Sequence, residues 1–394
     1  MDETINFLKQ KFSEYYKNNE LIYPNRFGRR EFGFMFFDRK GMTRHIGFKT
    51  GNEIKSFLVK NAPMHVYYSS AYYEKPDAST MAQKKWLGAD LIFDLDADHI
   101  ESAKELNYEE MLSVVRDETL KLLENFILDD FGFDEKHVYV NFSGGRGYHI
   151  HVRDPKIFLL DSSARREIVD YVEGIGLEDV FIERYYDAKL YGSKMYVKKP
   201  GKEMPKPDEP GWRGKMSMGT YQLCDMLEKM GREEGIKYMT EKKIRRKIAE
   251  GIYSDLFDKK SRGIDKIKKG RIDIFSKNSY LEQFTKIVLD EVKINVRGAA
   301  DEPVTSDIKR LIRLNNSLHG KTGLKVMPVK IDELKIFNPL NDAVVFSDEP
   351  VNIEVVKPVK ISMCKKNFNL KKGENTVPEF LGIFLMGRGL GVKK

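Results

Sequence analysis

Two aspartates, Asp94 and Asp96, end an apolar run that follows Asp90. Side chains alternate between the two faces of a β-strand, so both carboxylates are expected on one face while Phe93 and Leu95 pack inward. Neighbouring carboxylates repel each other unless a cation lies between them, and Mg²⁺ commonly binds one or two carboxylates together with substrate phosphates. The pattern therefore predicts a divalent-metal site, although a solvated strand end would be the simpler interpretation.

Three other classes of protein use a similar acidic pattern. A calcium loop needs a glycine at its sixth position, where this chain has His99. A phosphatase with Asp94 as its nucleophile would carry Thr or Val two places after the second aspartate, where this chain has Asp98. A metal-dependent glycosyltransferase finds no further support in the sequence. The phosphatase is the alternative that stays open.

A glycine-rich segment, residues 143–149, connects two predicted strands. Glycines let the backbone approach an anion closely and turn its N–H groups toward it. Ser143 can donate a hydroxyl hydrogen bond, Arg146 can bind phosphate with two N–H groups, and His149 can donate from its ring. We interpret the segment as a phosphate-binding turn, since an ordinary glycine turn needs neither the arginine nor the histidine.

A third polar cluster follows residue 298. It contains Asp301, then the basic residues Lys309, Arg310 and Arg313, and then His319. An acid followed by cations and a histidine can complete both a metal site and a triphosphate site. In isolation, a solvated helix followed by a turn is the more common origin of such a segment.

Periodicity predicts the elements that position these groups. Helices are expected at 3–18 and 106–129. Strands are expected at 64–69, 89–95, 138–142, 148–152, 325–331, 343–346 and 351–356. Four prolines and many charges in 198–210 favour a surface connection, and 219–292 is mostly helical in pattern.

These elements predict an α/β (α+β) fold. Its mixed-sheet core, residues 1–204 and 293–394, would be interrupted by a basic helical insertion at 205–292. The chain has 394 residues and a net charge of +8, and residues 241–270 contain eleven Lys and Arg against five Asp and Glu. Such a patch favours a polyanionic partner, and a nucleic-acid-binding protein without catalysis would explain it too.

The composition also limits the class of protein. No apolar stretch approaches the length of about 18 residues that a membrane-spanning helix needs, and the acidic N-terminus does not resemble a secretory leader. Two cysteines, Cys224 and Cys364, cannot build a disulfide framework or a four-thiolate zinc site. We therefore expect a cytoplasmic protein that has no membrane association.

Together the motifs resemble those of the small, catalytic subunit of archaeal and eukaryotic DNA primases, the archaeal form in particular. The matching segments in chain order are Arg30–Phe32, Phe93–Asp96, Ser143–His149, Asp301–Val304 and Ser317–Gly320. The resemblance implies a primase-specific fold and template-directed synthesis of short primers on single-stranded DNA from nucleoside triphosphates. It also implies two-metal nucleotidyl transfer, with Asp94, Asp96 and Asp301 as catalytic ligands of two Mg²⁺ or Mn²⁺ ions.

The resemblance assigns roles to further residues. The residues that match nucleotide-binding positions of the family are Ser143, Arg146, His149, Arg313 and His319. Glu31 matches an accessory acid near the metal site. A primase large subunit is implied as partner, and a repair-type primase-polymerase of the same fold stays open.

One feature departs from the family pattern. Many members carry a zinc knuckle after the acidic strand, but residues 99–130 contain no cysteine. We therefore predict that structural zinc is absent. The basic patch of the insertion, between Lys242 and Lys269, is expected to contact the backbone of template or primer.

Overall fold

The computed structural model describes residues 3–103, 105–177, 182–258, 263–296 and 301–394. The chain divides into two compact units. The first unit comprises Met1–Leu123, Phe133–Val169 and Gly298–Lys394, and the second comprises Glu124–Gly132 and Asp170–Arg297. The insertion expected at 205–292 falls within the second unit, which is wider. The domain boundaries at residues 205 and 292 stay a prediction.

Helices and several small sheets follow one another along the chain, which confirms the predicted α+β class. The helices are α1 (Glu3–Asn18), α2 (Gly51–Asn61), α3 (Met81–Lys84), α4 (Tyr108–Leu122), α5 (Ser162–Glu173), α6 (Gly211–Glu241), α7 (Arg246–Phe257), α8 (Gly263–Ile267), α9 (Asn278–Val296), α10 (Glu302–Ser306), α11 (Pro339–Asp342) and α12 (Glu379–Gly387). Across the described ranges, no helix has the length and apolarity needed to cross a membrane.

Most of the strands are short, and neighbouring strands within each described sheet are antiparallel. They are β1 (Phe32–Met35), β2 (Met42–Ile46), β3 (His65–Ser69), β4 (Ala71–Tyr73), β5 (Trp86–Ala89), β6 (Leu91–Asp96), β7 (Val138–Phe142), β8 (Gly147–Val152), β9 (Ile182–Tyr191), β10 (Lys194–Glu203), β11 (Leu311–Arg313), β12 (Met327–Val329), β13 (Pro350–Val355), β14 (Val359–Met363), β15 (Lys366–Leu370), β16 (Gly373–Pro378) and β17 (Gly391–Lys393).

Two four-stranded sheets form the centre of the first unit. One has the strand order β11-β3-β1-β2 and the other has the order β12-β7-β8-β6. Phe93 and Leu95 of β6 are fully buried, as the alternation predicts. Pairing of β6 with β8 sets Asp94 opposite His149 and Asp96 opposite Gly147. The acidic strand and the glycine-rich turn are therefore neighbours in one sheet.

A buried ion pair fixes the start of the acidic strand. Arg30 Nη2 lies 2.9 Å from Asp90 Oδ2, and both side chains are buried. Tyr72 donates its hydroxyl to Asp90 Oδ1 at 2.7 Å. Arg30 Nη1 also donates to the carbonyls of Ser69 and Ser70. This network ties β6 to the end of β3.

Helices α6, α7 and α9 pack together in the second unit, which also contains the hairpin of β9 and β10. The expectation of a surface connection at 198–210 is wrong in its first part, because Lys198–Glu203 belong to β10 and pair with β9. Proline is disfavoured in the interior strands of a sheet, and a two-stranded sheet consists of edge strands only. The strand expected at 343–346 is also wrong, since those residues follow α11 without pairing.

Candidate active site

A pocket of about 790 Å³ opens in the first unit, beside the ends of β6 and β8. We call it the main pocket. Its lining residues are Met35, Met64, His65, Tyr67, Asp94, Asp96, Ser143, Gly145, Arg146, His149, Arg310, Leu311, Ile312, Arg313, His319, Lys321, Thr322, Gly387, Arg388 and Gly389. Five of these side chains are cationic and two are carboxylates, so the pocket is suited to a polyanion.

The two carboxylates of β6 lie on one face, at one side of the main pocket. Burial, together with the nearby charges of Asp96 and Asp301, raises the pKa of Asp94 to about 7. Asp94 Oδ1 lies 3.4 Å from His149 Nε2, and Asp96 Oδ1 lies 3.5 Å from Arg146 Nη2. An added cation would offset the burial and the carboxylate repulsion that together raise the pKa of Asp94.

Asp301 lies beside this pair but does not line the pocket. Its backbone N–H donates to the Asp94 carbonyl at 2.9 Å, which holds the start of α10 against β6. Its Oδ2 is 3.4 Å from His99 Nε2. Among the residues that the structure describes, no group of three or more His, Cys, Asp or Glu side chains is arranged as a metal site.

The donor chemistry of the pair still fits a hard divalent cation. Carboxylate oxygens are the ligands that Mg²⁺ and Mn²⁺ prefer, and Mg²⁺ usually completes its shell with substrate phosphates and water. Asp94 and Asp96 would supply the protein ligands on this basis, and Asp301 is close enough to affect the charge of Asp94.

The glycine-rich turn approaches the histidine of the third cluster closely. A Cβ on Gly144 would lie 2.8 Å from His319 Cβ, and a Cβ on Gly145 would lie 3.0 Å from His319 Nε2. Gly144 also has a φ of 77°, in the region that favours glycine. Ser143 Oγ accepts the N–H of Gly145 at 3.3 Å, inside the turn.

Gly147 allows β8 to pair closely with the acidic strand. A Cβ at this position would lie 2.3 Å from Leu95 O and 3.1 Å from Asp96 Cα, both backbone atoms. We expect Gly147→Ala to lower the free energy of unfolding by about 1–3 kcal/mol, because the two strands must move apart. Urea unfolding measures this, with Gly28→Ala as the control, since an added Cβ there meets nothing within 4 Å. An unfolding midpoint equal to that of the control would contradict this steric role.

The histidines of the main pocket are held neutral. Burial, with Arg313 and Arg310 nearby, lowers the pKa of His149 to about 3. Burial and the same Arg313 lower the pKa of His65 to about 2. Gly320 N–H donates to His65 Nδ1 at 3.2 Å, so the neutral ring carries its proton on Nε2.

His319 is buried, and its pKa also lies well below the usual value because of burial and nearby cations. Thr322 Oγ1 donates to Gly144 O at 2.6 Å and lies 3.2 Å from His319 Nδ1. Since the hydroxyl hydrogen is already used, we assign the ring proton to Nδ1. His319 Nε2 therefore faces the glycine turn as an acceptor.

Arg313 is a candidate anion-binding group of the pocket. Its guanidinium lies 4.4 Å from the centre of the Tyr67 ring, and its Nη1 is buried without a hydrogen-bond partner. Burial lowers the pKa of Arg313, whereas Tyr67, Asp94 and Asp96 oppose that shift. An unpartnered buried donor is costly, so the site is prepared for an acceptor that the protein itself does not supply.

The structure brings seven of the nine predicted site residues to one pocket. They are Asp94, Asp96, Ser143, Arg146, His149, Arg313 and His319. Glu31 lies apart, buried, with its carboxylate accepting from Arg44 Nε at 3.1 Å and from His45 N–H at 3.0 Å. Lys84 Nζ is 3.4 Å from the same carboxylate. The assignment of Glu31 as an accessory acid stays a prediction.

Sequence reasoning missed several lining residues, among them His65, Tyr67 and Arg388. His65 and Tyr67 alternate along β3, and Arg388 follows α12. Tyr67 reaches the site because it pairs with Arg313 across β3 and β11. For His65 and Tyr67 the sequence signal is a polar or aromatic residue on a predicted strand, and for Arg388 it is a single arginine outside any motif; both signals are too common to identify a site.

Comparison with known proteins agrees with these motifs. The family described as DNA primase small subunit matches residues 93–331. The chain belongs to this family. The DNA primase small subunit PriS of Methanothrix thermoacetophila is 40% identical over 393 residues, covering 98% of each chain. PriS of Methanococcoides burtonii is 40% identical over 97% of each chain, and PriS of Picrophilus torridus is 38% identical over 99% of this chain and 97% of its own.

Family membership confirms the predicted archaeal-type resemblance. It makes the chain a primase small subunit, the catalytic subunit of the primase, and connects it with DNA replication. The family implies a requirement for divalent metal in general. The predicted absence of structural zinc stays a prediction; Cys224 is buried and Cys364 is partly buried.

Proposed function

We propose that the chain synthesises short primers on single-stranded DNA by nucleotidyl transfer from nucleoside triphosphates. The observation that carries the proposal is the main pocket itself, where two same-face carboxylates share the lining with Arg313, whose buried Nη1 has no hydrogen-bond partner in the protein. The carboxylates would face the reacting phosphate and the cations would face the rest of the triphosphate. Phosphoryl-type transfer depends mainly on such positioning and charge stabilisation.

Asp94, Asp96 and Asp301 are the proposed ligands of two Mg²⁺ or Mn²⁺ ions. Bound divalent ions would neutralise phosphate oxygens and make the primer 3′-hydroxyl more acidic. The protein groups hold the reactants in place. Arg146, near Asp96, would orient the phosphates next to the carboxylates, and the turn at Ser143 would offer N–H and hydroxyl donors.

The histidines have a different proposed role from the arginines. Because His149 and His319 are neutral, they contribute hydrogen bonds and shape, not fixed positive charge. His319 Nε2 can contact a phosphate oxygen only after it gains a proton, which the negative charge of a bound triphosphate would favour. Arg313 and Arg146 would carry the permanent charge.

The proposal is tested by incubating the chain with single-stranded DNA, labelled nucleoside triphosphates and Mg²⁺ or Mn²⁺, with and without a primase large subunit. We expect an oligonucleotide ladder and pyrophosphate, both lost in excess EDTA. Release of orthophosphate without polymer would overturn the proposal in favour of the phosphatase. Separate reactions with ribo- and deoxynucleotides distinguish a replicative primase from a repair-type primase-polymerase.

Arg313 gives a sharper test of nucleotide binding. We expect Arg313→Lys to raise the KM for the incoming nucleotide by about tenfold to a hundredfold, because lysine neither forms the planar fork nor stacks on Tyr67. The dissociation constant for template should hardly change. Steady-state kinetics with varied nucleotide measures this, with Arg116→Lys as the control on α4. An unchanged KM would remove Arg313 from the triphosphate site.

The basic patch of the insertion is a further proposed contact for template or primer backbone. Residues 259–262 of this patch lie outside the described residues. Lys242 forms an ion pair with Glu291, and Arg246 pairs with Glu250 at 3.1 Å, so part of the charge is already neutralised.

Neutralising Lys242, Lys243, Arg245 and Arg246 together should weaken binding of all templates alike. The salt dependence of binding should flatten by about 0.7 log units per lost phosphate contact. Titrations at several salt concentrations measure the slope, with nucleotide affinity as the internal control. An unchanged slope would make the patch a solvated face or a docking surface for the large subunit.

A further inference from the structure

A second basic surface lies on the hairpin of β14 and β15. Residues 356–372, which we call the lysine hairpin, contain six lysines and no Asp or Glu. All six are exposed: Lys357, Lys360, Lys365, Lys366, Lys371 and Lys372. This surface has as large a local charge as the insertion patch, in a segment little more than half as long.

The charge of the lysine hairpin is mostly not neutralised by the protein. Lys366 pairs with Asp348 at 2.9 Å. Lys357, Lys360 and Lys371 have no carboxylate within 4 Å among the residues described. A cluster of like charges without internal partners is costly on its own and favours an anionic ligand.

A cleft of about 620 Å³ runs beside the lysine hairpin. Tyr108, Phe368 and Phe384 contribute aromatic rings to it, and Asn367 and Asn369 contribute amides. Phe368 is partly exposed, and Lys360 also lines the cleft. Phe384 is buried, so the rings open to a ligand are those of Tyr108 and Phe368, which are partly exposed. Accessible rings next to cations are the combination that binds single-stranded nucleic acid, because bases stack on the rings while the cations contact phosphates.

The cleft adjoins the main pocket at one shared residue. Arg388 lines both cavities, and its guanidinium lies 4.4 Å from the centre of the Tyr108 ring. Tyr108 donates its hydroxyl to the carbonyl of Gly145, in the glycine-rich turn, at 2.6 Å. The wall of the cleft is thus fixed to the turn that we assign to the nucleotide.

We infer that the lysine hairpin and its cleft bind the single-stranded DNA template where it passes the main pocket. The inference rests on the proposed function and adds the surface that holds the template. Lysines contact the phosphates, Phe368 and Tyr108 face the bases, and Arg388 lies where the template meets the incoming nucleotide. Such contacts are independent of base sequence, which suits a polymerase that must copy any template.

The test replaces Lys357, Lys360, Lys365 and Lys371 with Gln. Affinity for a fluorescent oligo(dT) is measured between 50 and 200 mM salt. Raising the salt from 50 to 200 mM should weaken binding by about threefold for each phosphate contact. If the variant loses all four contacts, its loss of affinity over this range should be about fiftyfold smaller than that of the wild-type chain. Nucleotide affinity should be unchanged, because none of these lysines lines the main pocket. The control removes four exposed lysines of the same unit: Lys17, Lys40, Lys60 and Lys75.

Equal affinity and equal salt slope in the hairpin and control variants would overturn the inference, and the surface would then suit a protein partner such as the large subunit. If the fourfold variant does not fold, the two double variants, Lys357/Lys360→Gln and Lys365/Lys371→Gln, should each show about half the change in slope. Primer synthesis by the wild-type chain is a separate readout. A chain that binds DNA through the hairpin but makes no primer contradicts only the proposed function.

Discussion

Asp96→Asn is expected to lower the rate of primer synthesis by about a thousandfold or more, because it removes one of the two carboxylates proposed to face the reacting phosphate. The fold should persist. Asp96 Oδ1 accepts the N–H of Asp98 at 3.0 Å, and the amide oxygen of Asn can accept the same hydrogen bond. The loss should therefore appear in the chemical step and not in stability.

Single-turnover extension of a preformed primer measures that step, and template affinity is measured in parallel. Asp117→Asn is the matched control, since Asp117 is exposed on α4 and its replacement removes the same charge outside the main pocket. A variant at position 96 that keeps a tenth of the wild-type rate has lost only about 1.4 kcal/mol of transition-state stabilisation. That result would exclude Asp96 as a metal ligand.

Asp90→Ala should destabilise the first unit by about 3–5 kcal/mol, because it leaves the buried guanidinium of Arg30 without its counter-charge. The Tyr72 hydroxyl loses its acceptor as well. The change is expected in the midpoint of urea unfolding followed by circular dichroism.

Glu333→Ala is the control for this prediction. It breaks an exposed ion pair with Lys330, at 2.7 Å, and should cost less than about 1 kcal/mol. Equal unfolding midpoints in the two variants would contradict a stabilising role for the buried Arg30–Asp90 pair. Asp90 directly precedes β6, whereas the proposed catalytic carboxylates lie toward the other end of that strand, so stability and activity can be tested separately along one strand.

The local part of the site could be predicted from sequence. Period-two alternation is enough to assign Asp94 and Asp96 to one face, and the glycine-rich segment predicts the tight connection to β8. Both features depend on residues within a few positions of each other. The long amphipathic helices, such as α1, were predictable for the same reason.

The long-range part could not be predicted without the resemblance. Arg313 enters the pocket only because β11 pairs with β3, more than two hundred residues earlier in the chain. The strand β10 was not predicted because it contains Pro200, a residue that usually indicates a loop. Pro200 nevertheless pairs with Tyr185 in a two-stranded sheet. Strand pairing of this kind depends on contacts between segments that are distant in sequence, so the local periodicity of the sequence cannot predict it.

The main pocket is lined by residues from Met35 to Gly389. During translation, β6, β7 and β8 emerge together and can pair early, whereas Arg313 and Arg388 emerge much later. A partly translated chain can therefore display the acidic strand but not the cations that are proposed to hold a triphosphate. On the proposed function, nucleotide binding would be delayed until nearly the whole chain has left the ribosome, and truncated products of stalled synthesis would compete poorly for nucleotides.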